Sequence, residues 1–65
     1  LTGAELQTAR AALCLTQGAL ADCLGVSRRS IQHWEAGGRA VPETVARIMR
    51  LAQTDPELLT RLKNA

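Results

Sequence analysis

TQGALADCLGVSRRSIQHWEAG, residues 16–37, decides the fold, because it reads as two short amphipathic helices on either side of a tight turn. Gly25 follows Leu24, the last apolar residue of the first of them. A helix often stops there in the left-handed conformation, which glycine adopts without a Cβ penalty. Two residues on, Ser27 offers an N-cap hydroxyl to the next helix. Upstream, Thr16 can cap the first helix while Leu15 and Leu20 occupy the positions of a hydrophobic staple. Both helices are therefore specified locally, and about three residues separate the stop from the next start.

The apolar residues then say which faces are buried. Leu20, Ala21 and Leu24 form an i, i+1, i+4 stripe on the first helix, Ile31 and Trp34 an i, i+3 pair on the second, and Val26 plugs the turn. With Ile31 and Trp34 inward, Arg28, Arg29, Gln32 and His33 fall on the opposite or flanking faces. Trp34 shares the phase of Ile31, which makes it a core residue rather than a platform for an unpaired base.

The chain has 65 residues, enough for one domain spanning 1–65 and near the lower limit for an independent core. An apolar share of 46% suffices for globularity, and burial between subunits would help so small a core. The net charge of +2 is mild, but between Val26 and Gln53 five arginines (Arg28, Arg29, Arg39, Arg47, Arg50) face only Glu35 and Glu43. Such clustering suits a polyanionic partner better than the total suggests. Cys14 and Cys23 lack a Cys-x-x-Cys spacing and read as buried, reduced thiols, which fits a cytoplasmic setting. No membrane-length apolar run is present.

Taken in order, a first helix is expected from Thr2 to about Leu13, opened by the capping box Thr2-x-x-Glu5 and presenting Leu6, Ala9 and Leu13 on one face. Residues 36–40 form a loop whose two glycines end the helix before it. Pro42 fits the first turn of a fourth helix, Pro42 to Gln53, whose Val45, Ile48, Met49 and Ala52 close the core. Asp55-Pro56-Glu57 caps and starts a last helix to about Lys63. Leu51 falls off the fourth helix's buried face. Leu51 and some of Leu58, Leu59 and Leu62 are expected to form a two-fold dimer contact, the alternative being that all are intramolecular core.

Gln17, Leu20-Ala21, Leu24-Gly25-Val26-Ser27, Ile31 and Trp34-Glu35-x-Gly37 resemble the Cro and phage-repressor (XRE-type) class of helix-turn-helix regulators over roughly residues 6–53. The resemblance implies an all-α, compact, five-helix lambda-repressor-like domain with its helix-turn-helix at residues 16–36. It also implies that Gln17 contacts phosphate at a helix start, that Arg28, Arg29 and His33 reach base edges, and that Ser30 and Gln32 lie nearer the backbone. Arg39 stands where such proteins touch phosphate, and Arg10 and Glu35 match an ion pair of the class, although Arg10 alone also reads as a solvated charge. An arginine can donate two hydrogen bonds to guanine O6 and N7, and Arg29 is the favoured base reader of the adjacent pair. Ser27 can add a phosphate contact, though capping already accounts for it.

These features point to a double-stranded DNA-binding transcriptional regulator, bacterial or phage-encoded, expected to be a homodimeric repressor on a near-palindromic operator. Two alternatives stand beside it: an antitoxin-type autoregulator that also holds a toxin protein through its last helix, and an adaptor domain that has lost DNA binding. A zinc site from Cys14, Cys23 and His33 lacks a fourth ligand and any characteristic spacing. A Cys-His nucleophile lacks an orienting partner, so neither an enzyme nor a cofactor is expected.

Overall fold

The computed structural model describes all residues, Leu1–Ala65. Its elements are five helices: α1 (Gly3–Ala12), α2 (Gln17–Leu24), α3 (Arg28–Glu35), α4 (Glu43–Thr54) and α5 (Glu57–Lys63). Three helix starts carry the expected caps. The Glu5 N–H donates to Thr2 Oγ1 at 3.1 Å while the Thr2 N–H donates to Glu5 Oε1 at 2.8 Å, completing the capping box. Thr16 Oγ1 accepts from the Ala19 N–H at 3.0 Å and Ser27 Oγ from the Ser30 N–H at 3.1 Å.

The ends of α1, α2 and α3 share one device, a left-handed residue that lets the chain bond back onto the last turn. After α1 the Cys14 N–H donates to the Ala11 carbonyl and the Leu15 N–H to that of Arg10, at 3.0 and 3.2 Å. The Val26 N–H reaches back to Ala21 at 3.1 Å after α2, and the Gly38 N–H to His33 at 2.9 Å after α3. The left-handed residues are Cys14 (φ 59°), Gly25 (φ 70°) and Gly37 (φ 82°). Glycine takes this conformation freely; Cys14 does so against a Cβ clash. This position also corrects the expectation of a buried Cys14: the side chain leaves the apolar face of α1 and is exposed, while Cys23 is half-buried.

Leu6, Leu20, Ala21, Ile31, Trp34, Val45, Met49, Ala52 and Leu59 make one buried cluster. Burial of each large member contributes about 1.5–3 kcal/mol before conformational entropy is set against it. The two central helices hold the assembly together, α2 packing on both α3 and α5 while α1 lies across α3 and α4. At Gly3 the approach is so close that a Cβ would stand 2.1 Å from the Trp34 carbonyl oxygen. The first turn of α1 thus rests on the carbonyl end of α3.

Three expectations at the C-terminal end need correcting. Pro42 (φ −58°, ψ 145°) is the residue before α4 rather than its first member. Asp55 does not cap α5 with its side chain: the carboxylate pairs with Arg61, and its carbonyl accepts from the Leu58 N–H at 3.0 Å. Leu59, offered above as a dimer residue, is only 3% exposed, and Leu62 packs half-buried against the same cluster, because α5 folds back onto α2 and α4. Leu51 is 59% exposed and Leu58 half-buried.

Candidate nucleic-acid interface

Burial of Ile31 and Trp34 fixes the rotation of α3, and Arg28, Arg29, Gln32 and His33 emerge exposed, as their phase requires. Ser30 is half-buried, its hydroxyl 3.0 Å from that of Ser27. The helix is held at both ends. Ser27 caps its start, and at its finish Glu35 receives a two-pronged bond from Arg10: Nε donates to Oε2 at 2.7 Å and Nη2 to Oε1 at 3.0 Å. The third guanidinium nitrogen, Nη1, donates to the Leu15 carbonyl at 2.8 Å, which ties in the segment leading to α2. The pair is nearly enclosed, with side-chain exposures of 15% for Arg10 and 5% for Glu35. Arg10's hydrogen bonds hold the Glu35 carboxyl below the usual carboxylate range, and Glu35 in turn pushes the guanidinium further toward its charged form.

Gln17 belongs to the same cluster. It stands at the first position of α2, as the resemblance implies, and one of its two Nε2 N–H groups donates to Glu35 Oε1 at 3.0 Å. Spacing alone gives no hint of that bond, because it joins residues eighteen apart across two helices.

Two open depressions lined by polar side chains adjoin α3. One, of about 500 Å³, is bounded by Thr16, Gln17, Gly18, Arg10 and Arg28 at the start of α2. The other, of about 200 Å³, is bounded by Ser27, Arg29, Ser30, His33 and Arg39. Arg39 arrives there because the bond from Gly38 to the His33 carbonyl folds the loop over the last turn of α3. No carboxylate lines either depression. Arg28 lines the first depression and Arg29 the second, while Gln32 lines neither.

Charge pairing sorts the arginines. Arg10 is bound to Glu35, Arg47 and Arg50 lie 3.8 and 3.6 Å from Glu43, and Arg61 is paired with Asp55. Arg28, Arg29 and Arg39 have no carboxylate within salt-bridge distance. The unneutralised guanidinium groups are therefore concentrated on one face, around α3. Away from it, Cys14 and Cys23 line a separate pocket against Pro56 and Leu59, so the structure does not bring them together with His33. No helix is long and apolar enough to cross a membrane.

A family model described as a helix-turn-helix domain matches residues 2–62. No curated protein matches the chain.

Proposed function

The chain belongs to the helix-turn-helix domain family, and on that premise we propose that it is a sequence-specific, double-stranded DNA-binding transcriptional regulator acting as a dimeric repressor. The observation that carries the proposal is the segregation of charge: Arg28, Arg29 and Arg39, which lack carboxylate partners, all surround the exposed face of α3. A helix presenting such a face suits the major groove, and guanidinium groups free of carboxylates are available to phosphates and base edges.

In this reading Arg29 lies opposite the buried side of α3 and reads a base. Arg28, beside the start of α2, clamps a phosphate together with the amides at that helix end. Arg39 holds the backbone from the loop. Gln17 orients α2 through its bond to Glu35 and, from the depression it shares with Arg28, offers its second amide N–H to a phosphate. Leu51, exposed on α4, and the half-buried Leu58 supply the two-fold contact, which sets two reader helices about one helical turn apart on a near-palindrome.

Selection from a random duplex pool, followed by anisotropy titration of the enriched site at two salt concentrations, tests this. An inverted repeat should emerge, with affinity falling steeply with salt, and Arg29→Ala should lose about 1–3 kcal/mol of discrimination at one base pair per half-site. A folded protein that enriches no sequence would refute the proposal.

A further inference from the structure

We infer that the cavity shared by Cys14 and Cys23 binds one soft, monovalent d10 metal ion between the two thiolates. The inference stands apart from the DNA-binding reading, because this cavity shares no residue with the depressions beside α3. Both cysteines are free, and both line one cavity of about 270 Å³ where the loop after α1, the last turn of α2 and α5 meet. Apart from the cysteines, Thr60 brings the only polar side chain to its wall, which is otherwise apolar. No carboxylate, imidazole or amine lines it.

That donor set selects among metals. Calcium and magnesium require oxygen ligands that this wall does not supply, and zinc takes four ligands where the cavity has two thiols. Thiolates favour soft ions such as copper(I), and a monovalent d10 ion is satisfied by two of them in line. Two sulfurs joined in this way stand roughly 4.6 Å apart, twice a metal–thiolate bond of about 2.3 Å. A disulfide would bring them to about 2 Å, so the ion demands less closure of the shared cavity. The backbone supplies a second, independent observation. Cys14 is held at φ 59°, where the ends of α2 and α3 use Gly25 and Gly37 for the same turn. A cysteine there carries a conformational cost that glycine would avoid, and the conformation takes its side chain off the apolar face of α1 to the cavity that Cys23 also lines. On binding, each S–H bond gives way to a sulfur–metal bond, two protons pass to solvent, and no electron is exchanged.

Anaerobic titration of the reduced chain with copper(I), in competition with a chromophoric copper(I) chelator, tests this. One ion per chain should be retained, X-ray absorption should show two sulfur neighbours, and the melting temperature should rise by several degrees. Cys14→Gly is the decisive variant, because it relieves the left-handed strain and so keeps the fold while removing one ligand. Both it and Cys23→Ala should lose the retention and the melting shift. Retention that survives either substitution, half an ion per chain in a linked pair of chains, or zinc(II) held as tightly as copper(I) overturns the inference. So does a folded, reduced chain that yields all its copper(I) to the chelator, including one that forms a Cys14–Cys23 disulfide when treated with hydrogen peroxide.

Discussion

Removing Glu35 should cost more than removing Arg10, and the difference should depend on pH. Glu35→Ala leaves a guanidinium only 15% exposed, with one remaining bond to the Leu15 carbonyl, and also frees the Gln17 amide. Guanidinium cannot shed its charge at accessible pH, so the desolvated cation stays unpaired, a loss of about 3–5 kcal/mol. A chain of 65 residues has roughly 3–10 kcal/mol of stability in total, so this variant stands near the edge of folding. Arg10→Met leaves a carboxylate that still accepts from Gln17 and can take a proton.

In the wild type the Glu35 pKa is depressed, so its contribution is present above the unfolded carboxyl value and lost as pH falls through the folded one. In Arg10→Met the sign inverts: the enclosed carboxyl, stripped of its cation, titrates above the unfolded value. The deficit of that variant is then largest at neutral pH and shrinks toward pH 5, whereas the Glu35→Ala deficit persists. Urea unfolding at pH 7 and pH 5 measures both, and Glu35→Gln, which keeps an acceptor for Arg10, should fall between them. Equal deficits for Arg10→Met and Glu35→Ala at both pH values would refute the reasoning.

Gly3→Ala should destabilise by about 1–3 kcal/mol, since the added Cβ would meet backbone oxygens of Trp34 and Glu35 that cannot swing aside; Gly18→Ala, with nothing within 4 Å, should stabilise by up to about 1 kcal/mol in the same unfolding assay. Cys14→Gly should raise the melting temperature of the reduced protein, recovering up to about 1 kcal/mol from a left-handed residue that now carries a Cβ; a lower melting temperature contradicts that account.

Much of this architecture is written in local sequence, because caps and helix phase are local properties. Thr2, Thr16 and Ser27 announce helix starts by chemistry that acts over three residues, and Ile31 with Trp34 fixes which side of α3 faces out. The features that escaped are those set by how helices dock. Leu58 and Leu59 are equally apolar neighbours about 100° apart on α5, and only the docking of that helix on α2 decides that Leu59 is enclosed. Arg28 and Arg29 line different depressions for the same reason: Arg28 has the start of α2 for a neighbour and Arg29 the loop residue Arg39. At Gly3 and Gln17 the signal lies in partners eighteen or more residues away, which no periodicity records.

Docking also links stability to recognition. Helix α3 has eight residues, about 12 Å in length, too short to persist alone in water. Its orientation is therefore inherited from Ile31 and Trp34 beneath it and from the Arg10–Glu35–Gln17 cluster at its end. That cluster joins the carbonyl end of α3 to the first residue of α2, and Arg10 and Gln17 themselves line the depression beside Arg28. A net charge of +2 spread evenly would bind a polyanion weakly. Pairing Glu35 with Arg10, Glu43 with Arg47 and Arg50, and Asp55 and Glu57 with Arg61 leaves Arg28, Arg29 and Arg39 without carboxylate partners, and the proposed reading requires the Arg10–Glu35–Gln17 clamp to keep α3 oriented beneath them.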